Sequence, residues 1–360
     1  MVSKVFNYQS LIREDLSFLQ PYQTRVIAGN IRMDANENPF PWPVGMKEEL
    51  LAQKIAFNRY PDGEARALRE AIAAYNRVEA EEVLVGNGSD ELIQIILQTF
   101  GGRGRALMIH PPTFSMYQAA AAITATSLVE VPLKNGTKLD LEGMLKALAD
   151  DERIKVIIIC NPNNPTGSLF PRQEILSLVQ NTEALVIVDE AYFEFAGETL
   201  LDVIRDYPNI LIMRTFSKAF GMAALRLGYV IGCRELIRDL NRVRQPFNVN
   251  SFSQQAGVLA LKYLSAYQSQ IAILKNEIQA LYAELAQIPN IKVLPTRANF
   301  MLIQSPAARA LSEKLSLAGF TTRYLGNLKG VGESFRLSAA LPEENRAFLQ
   351  AFKEIVYNEE

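Results

Sequence analysis

Short apolar runs alternate with amphipathic stretches through the first two thirds of the chain. The run at 155–160 is strongly β-prone and mostly apolar on both faces, as central parallel strands are, and the apolar runs at 83–85 and 185–188 also indicate strands. Segments between them, such as 64–77 and 171–180, carry apolar residues three and four positions apart, which indicates helices. The alternation predicts an α/β fold with a mostly parallel sheet covered by helices on both faces.

The pattern changes beyond about residue 236. Apolar residues at helical spacing predict helices through 236–285, with a break near Pro246. Short predicted strands follow, so we expect a smaller α+β domain, with strands at 291–294, 299–303, 320–324 and 333–337. The predicted division is an N-terminal arm with part of the small domain at 1–40, a large domain at 41–245, and a connecting helix with the small domain at 246–360. A further helix is predicted over 46–57.

Polar side chains stand where three of the predicted strands end. Asn164 follows the strand at 155–160, Asp189 follows 185–188, and Lys218 follows the apolar run at 209–213. The carboxyl ends of parallel strands meet at one edge of the sheet, where open α/β folds bind ligands. We therefore expect an amide, a carboxylate and a lysine to converge there.

The same edge offers donors for a phosphate. The glycine-rich segment 86–91 opens a predicted helix, with Ser89 or Asp90 as the expected N-cap, and a helix start of this kind binds anions. The segment is neither a P-loop nor a dinucleotide fingerprint. Hydroxyls at Thr215 and Ser217 flank Lys218, and Arg226 follows. Pyridoxal phosphate (PLP) has both the carbonyl that a lysine amine attacks and the phosphate that these donors suit.

Composition and charge exclude several classes of function. The net charge of −2 and the pI of about 5.8 give no global basic field, so we expect no nucleic-acid partner. The single histidine, His110, argues against a Ser-His triad or a histidine metal cage, and the two cysteines have no metal or redox spacing. We see no apolar run long enough to span a bilayer and no signal core, so we expect a cytoplasmic protein with no membrane partner and no metal.

Four motifs together resemble the PLP-dependent aminotransferases of the aspartate-aminotransferase type. They are Asn-Pro-Thr-Gly at 164–167, Asp-Glu-Ala-Tyr at 189–192, Ser-Lys-Ala-Phe-Gly at 217–221, and Arg226. Within that group the chain resembles the histidinol-phosphate aminotransferases, on the segments 21–23, 36–39, 59–62, 88–91 and 112–114 and the pair Arg323 and Arg336. The resemblance covers nearly the whole chain, and it implies PLP fold type I with a large sheet of the seven-stranded type.

The resemblance also implies cofactor contacts. Lys218 would hold PLP as a Schiff base, the internal aldimine, and then move a proton between the substrate and the cofactor. Asp189 would pair with the pyridine nitrogen and keep it protonated. The remaining contacts implied are Asn164 and Tyr192 at the ring 3-oxygen, Phe114 stacked on the ring, and Gly88, Ser89, Asp90, Thr215, Ser217 and Arg226 around the phosphate.

For the substrates, the resemblance implies a ping-pong transamination in histidine biosynthesis. Histidinol phosphate and 2-oxoglutarate would be interconverted with imidazole-acetol phosphate and glutamate. Arg336 would bind the α-carboxylate of each substrate, Arg323 and Tyr22 the phosphate of histidinol phosphate, and Asn36 would line the site. Tyr60 would reach the cofactor phosphate from the other subunit of a homodimer with shared active sites.

Other readings stay open at this point. An aromatic-amino-acid aminotransferase or a phosphothreonine decarboxylase on the same scaffold would share Lys218, Asp189 and Arg226. A regulator that uses such a module as a ligand sensor would need a basic DNA-reading domain, and the segment before Met33 is too short and not basic enough for one. Trp42 could belong to the core or could shape the mouth of the substrate site.

Overall fold

The computed structural model describes residues 11–16, 19–21 and 27–357. The first elements in chain order are β1 (Ile31–Arg32), α1 (Met46–Leu51), α2 (Arg66–Asn76), β2 (Val83–Gly86), α3 (Ser89–Phe100), β3 (Ala106–Ile109), α4 (Met116–Ile123), β4 (Ser127–Glu130), α5 (Leu141–Asp150), β5 (Ile154–Cys160), α6 (Arg172–Gln180), β6 (Leu185–Asp189), α7 (Phe193–Ala196), β7 (Ile210–Thr215) and β8 (Gly228–Ile231). They are followed by α8 (Arg234–Asn241), α9 (Ser251–Lys262), α10 (Leu264–Leu285), β9 (Lys292–Val293), β10 (Phe300–Gln304), α11 (Ala308–Leu317), β11 (Phe320–Thr321), β12 (Arg323–Leu328), β13 (Gly332–Ser338) and α12 (Pro342–Tyr357).

A seven-stranded sheet forms the centre of the larger part, in the order β2-β8-β7-β6-β5-β3-β4. β8 pairs antiparallel with both β2 and β7, while the other pairs are parallel, so the predicted mostly parallel sheet is confirmed. Alternate residues of β5 pack into cores on opposite faces, Ile157 and Ile159 into one and Val156 and Ile158 into the other. Burial on both faces explains why these strands read as continuous apolar runs.

The smaller part contains an antiparallel sheet in the order β12-β13-β10-β9 and a two-stranded parallel sheet of β1 with β11. Phe348 and Phe352 of α12 are buried in its core, with ring centroids 5.7 Å apart. The pairing of Ile31 with Phe320 carries the segment after β1 from the N-terminal region to the junction of the two parts. That segment supplies residues 35–37 to the cavity described below.

Two predicted elements are wrong in extent. The single strand predicted at 320–324 is two strands, because β11 pairs with β1 and β12 pairs with β13, so the chain changes sheets at Thr322. The helix predicted over 46–57 ends at Leu51. The side chain of Phe57 is 83% exposed, so a longer helix would have no apolar face to bury there. Across the described part of the chain, no helix is both long and apolar enough to cross a membrane.

Candidate active site

A cavity of about 440 Å³ opens at the carboxyl ends of the central parallel strands. Cys160, Asp189 and Thr215 are the last residues of β5, β6 and β7, and all three line it. Most of the predicted site residues therefore meet as the strand-end rule requires. Those that line the cavity are Asn36, Ser89, Asp90, Phe114, Asn164, Asp189, Tyr192, Thr215, Ser217, Lys218, Arg226 and Arg336.

The Lys218 amine is held at the floor of the cavity. Its Nζ donates a hydrogen bond to the carbonyl oxygen of Ala35 at 2.8 Å. The turn that presents it is ordered by a bond from the Ser217 N–H to Thr215 Oγ1, at 3.1 Å. Burial lowers the pKa of Lys218 to about 8, and the positive charge of Arg336 acts in the same direction. A substantial fraction of the amine is therefore neutral, and nucleophilic, near physiological pH.

Asp189 is a buried acid with two hydrogen-bond donors. The Tyr117 hydroxyl donates to its Oδ2 at 2.5 Å, and the Ala191 N–H donates to its Oδ1 at 3.1 Å. Burial raises the pKa of Asp189 to about 6, although both hydrogen bonds favour the charged form. An anion in this position suits a cationic ring nitrogen.

Two side-chain hydrogen bonds in series link Tyr192 to the small antiparallel sheet. The Asn36 amide donates to Tyr192 Oη at 2.9 Å, and the Ser338 hydroxyl donates to Asn36 Oδ1 at 2.9 Å. Asn36 has a φ of +54°, a conformation that asparagine tolerates better than most residues. These bonds fix the segment after β1 against β13 and point the tyrosine hydroxyl toward the cavity wall.

Two arginines lie side by side on the small sheet. Arg336 of β13 donates from Nη1 to Asn164 Oδ1 at 2.6 Å and from Nη2 to the Asp34 carbonyl at 2.5 Å. Arg323 of β12 is its direct cross-strand partner. Directly opposed residues project from the same face of a sheet, so Arg323 lies beside the arginine that lines the cavity, although it is not itself part of the lining.

The other end of the cavity suits an anion. α3 begins there, and its N-cap is Gly88, with a φ of +82° and no side-chain capping bond. The expected capping by Ser89 or Asp90 is therefore wrong, because Ser89 is already helical. A Cβ on Gly88 would lie 2.7 Å from Arg226 Nη2, so a side chain at this position would displace that guanidinium. Arg226 also contacts Asp90, at 3.2 Å. The helix start, the Ser217 hydroxyl and Arg226 together form a cup of donors.

Several residues singled out in the sequence lie elsewhere. Tyr60 is 81% exposed and stacks on Phe247, with centroids 4.6 Å apart, outside the cavity. Tyr22 lies outside the described residues. Trp42 packs against the core and donates from Nε1 to the Gly221 carbonyl at 3.1 Å, so it supports the turn after the lysine. His110 is buried directly behind the cavity lining, where its Nε2 accepts from the N–H of Cys160 at 3.1 Å, and burial lowers its pKa to about 4.

Two contacts of the site were not found from the sequence. The Tyr117 hydroxyl reaches Asp189 from α4, 72 positions earlier in the chain. The Ala35 carbonyl that accepts from Lys218 carries no side-chain signal at all. The available hint was the position of both residues next to motifs, three after Phe114 and one before Asn36.

Comparisons with known proteins agree with this geometry. The family described as "Aminotransferase class I and II" matches residues 28–352. A histidinol-phosphate aminotransferase of Desulfitobacterium hafniense (strain DSM 10664 / DCB-2) is 51% identical over 361 residues, covering 99% of this chain and 100% of the relative.

Solved structures share the fold. That of the histidinol-phosphate aminotransferase from Clostridium acetobutylicum has a TM-score of 0.84 at 26% identity, covering 91% of this chain and 99% of the other. A Sinorhizobium meliloti histidinol-phosphate aminotransferase in complex with pyridoxal-5'-phosphate has a TM-score of 0.82 at 24% identity, covering 93% of each chain. PLP type I aminotransferases therefore share this α/β architecture. The chain belongs to the class I and II aminotransferases and, among them, to the histidinol-phosphate aminotransferases.

Proposed function

We propose that this chain is a PLP-dependent transaminase of histidine biosynthesis that interconverts histidinol phosphate and 2-oxoglutarate with imidazole-acetol phosphate and glutamate. The observation that carries the proposal is the convergence of Lys218, Asp189 and Arg226 on one cavity. The full-length similarity to a relative of that name supports the choice of substrate.

The residues of the cavity fit PLP in shape and charge. The cup at the start of α3, with Ser217, Arg226 and the side-chain-free Gly88, suits a phosphate dianion. Asp189 would face the pyridine nitrogen, Asn164 and Tyr192 the ring 3-oxygen, and Phe114 a face of the ring. Ser89, Asp90 and Thr215 would complete the surroundings of the phosphate. When bound, PLP supplies an aldehyde that condenses with amines and a ring that withdraws electrons.

Lys218 would perform the proton transfers of the reaction. Its Nζ would take the proton from the substrate carbon that bears the amino group and would deliver it to the cofactor within the same half-reaction. The pKa of about 8 suits this role, because the amine can both accept and release a proton near neutral pH. The Ala35 carbonyl accepts a hydrogen bond from Nζ, and it would orient the amine whenever the amine is free of the cofactor. The two substrates would use the site in turn, as a ping-pong mechanism requires.

The chemistry of the substrates corrects one expectation. Glutamate and 2-oxoglutarate carry an α-carboxylate, whereas histidinol phosphate carries a phosphate ester and no carboxylate. Arg336 therefore cannot receive an α-carboxylate from every substrate. We propose that Arg336 receives the carboxylate of glutamate and, together with Arg323, the phosphate of histidinol phosphate. Their direct pairing across β12 and β13 supports this arrangement, because two guanidinium groups suit a dianion. Tyr22 would add a contact to that phosphate.

We further propose a homodimer in which Tyr60 contacts the cofactor phosphate of the other subunit. The exposure of Tyr60, with Phe57 and Val44 also largely exposed nearby in sequence, supports an interface on this surface. A cytoplasmic location suits the two free thiols, Cys160 and Cys233.

We also propose domain limits at 1–40, 41–245 and 246–360. The division is supported by the confinement of the seven-stranded sheet to strands between β2 and β8. Limited proteolysis that cuts first near 245 would support it, whereas a first cut inside the region from β2 to β8 would contradict it.

Steady-state kinetics of the purified protein with PLP tests the proposed reaction. Histidinol phosphate, phenylalanine and phosphothreonine are compared as substrates, with 2-oxoglutarate as acceptor. We expect histidinol phosphate to give the highest kcat/KM, with glutamate as product. A higher kcat/KM for phenylalanine would indicate an aromatic aminotransferase. Release of carbon dioxide from phosphothreonine without an acceptor would indicate the decarboxylase.

A further inference from the structure

Tyr117 is completely buried at the start of α4, and its hydroxyl contacts the Asp189 carboxylate. The 2.5 Å separation of Oη and Oδ2 is at the short end for a hydrogen bond between a hydroxyl and a charged oxygen. Burial raises the pKa of Tyr117 well above its usual value, so the hydroxyl keeps its proton and acts only as a donor toward Asp189. The bond therefore favours the ionised carboxylate.

The same tyrosine also contacts the aromatic residue of the cavity wall. The rings of Phe114 and Tyr117 meet edge to face, with centroids 5.5 Å apart and planes at 85°. Phe114 lines the cavity, whereas Tyr117 lies behind it, in the core that also contains Val156 and Ile158 of β5. One buried side chain thus supports two walls of the site, the acid and the aromatic face.

The groups around Asp189 explain why such a donor matters. Burial is the largest influence and raises its pKa, and the charges of Asp90 and Glu190 act in the same direction. The Cys160 thiol nearby stays neutral, because burial raises its pKa to about 12. Among the residues that the structure describes, Tyr117 and the Ala191 N–H counter this by donating to the carboxylate. Each holds a different oxygen, so together they also fix the plane of the carboxylate.

We propose that Tyr117 is a positioning residue that holds the Asp189 carboxylate ionised and oriented toward the ring nitrogen of PLP. The inference rests on the proposed function, because it concerns the cofactor that this function requires. Tyr117 touches neither substrate nor cofactor; it acts through Asp189. A tyrosine that only fills the core would contribute to stability and leave the ionisation of Asp189 unchanged.

The test is the pH dependence of PLP binding to the apo protein, followed by quenching of intrinsic fluorescence. The variants are Tyr117→Phe, which keeps the ring and removes the hydroxyl, and Tyr267→Phe as a matched control. Tyr267 is also fully buried, but its hydroxyl contacts Met46 Sδ at 3.3 Å and lies away from the cavity lining. Dissociation constants are measured from about pH 5 to about pH 9, a range that brackets the Asp189 transition.

For the wild type we expect affinity to be present above about pH 6 and to fall as the pH drops through the pKa of Asp189. Tyr117→Phe should weaken binding about tenfold at neutral pH, since a hydrogen bond to a charged group is lost, and should move the acid limb to higher pH. Tyr267→Phe should follow the wild-type curve. A Tyr117→Phe curve that coincides with the wild type, or an equal shift in the control, overturns the inference.

A measurement on the unsubstituted protein covers the case in which Tyr117→Phe does not fold. Infrared difference spectra recorded across the Asp189 transition are compared for protein with ordinary and with ring-deuterated tyrosine, and Asp189→Asn identifies the carboxylate band. We expect tyrosine bands that change together with this carboxylate, and their absence contradicts the inference. A wild type that binds no PLP at any pH contradicts the proposed function instead.

Discussion

A buried ion pair beneath the active-site edge should contribute strongly to the stability of the protein. Arg214 on β7 donates from Nε and Nη2 to Glu190 Oε2, at 3.0 and 2.7 Å. Its Nη1 also donates to Asn76, and the guanidinium lies over the Phe193 ring. The side chains of Arg214 and Glu190 are only 2% and 1% exposed. Arg214 directly precedes Thr215 and Glu190 directly follows Asp189, and both of these neighbours line the cavity.

Arg214→Met removes the charge and keeps an apolar stem. Glu190 then stays buried, and the donors left to it within the described part of the chain are the Thr199 hydroxyl and the Leu200 N–H. An uncompensated buried charge of this kind costs about 3–5 kcal/mol, and the two remaining donors favour the lower end of that range. The double variant Arg214→Met with Glu190→Leu removes both charges and should lie within about 1 kcal/mol of the wild type, since well-packed apolar replacements of buried pairs are often neutral.

The assay is urea-induced unfolding of the apo protein at one fixed protein concentration, with the free energy of unfolding compared among the wild type, both single variants and the double variant. Arg13→Met serves as a control for removing an arginine from an exposed pair, and we expect little loss of stability because solvent screens that pair. The reasoning is refuted if Arg214→Met costs no more than this control. It is also refuted if the double variant loses the sum of the two single losses.

Three further predictions concern the site itself. Arg323→Ala should lower kcat/KM for histidinol phosphate by about 30- to 150-fold, because a charge-assisted contact worth about 2–3 kcal/mol is lost, while the PLP dissociation constant stays the same. The control is Arg309→Ala, which removes an exposed arginine that lies over the neighbouring Tyr324 ring. Equal effects of the two variants would contradict the assignment of Arg323. Gly88→Ala should weaken PLP binding, because the added Cβ would lie 2.7 Å from Arg226. The control is Gly102→Ala: Gly102 has a φ of +96° and open space around it, so the substitution should carry similar backbone strain and leave PLP binding intact. Unchanged PLP affinity in Gly88→Ala would argue against the phosphate cup. The rate at which the apo protein captures PLP should rise with pH up to about 8, the pKa of Lys218, and level off above it, because the neutral amine is the reactive form. The rate is measured by stopped-flow absorbance, and a rate that keeps rising to the ordinary pKa of lysine would contradict the assigned environment of Lys218.

The parts of the site that the sequence predicted are those fixed by local order. Asn164, Asp189 and Lys218 follow recognisable apolar strands, and parallel strands must bring their carboxyl ends to one edge. The turn residues around them are dictated by sequence neighbours, so the motif and the geometry agree. The same holds for the helix start at Gly88, where only the identity of the N-cap was wrong.

The parts that the sequence did not predict depend on contacts between remote segments. β1 pairs with β11 almost three hundred positions later, and this pairing brings the Ala35 carbonyl to Lys218. The bond from Tyr117 to Asp189 depends on how α4 packs against β6. Periodicity reports which face of an element is buried, but it does not report which distant element covers that face. The split between β11 and β12 has the same origin, since each half pairs with a different partner strand.

Borohydride reduction of the protein with bound PLP, followed by peptide mass spectrometry, tests the central claim most directly. Reduction makes the bond between the cofactor and its lysine permanent, so the modified peptide identifies the residue. We expect a single phosphopyridoxyl label on Lys218, and its loss in Lys218→Ala together with all turnover. A label on any other lysine, or none at all, would contradict the account.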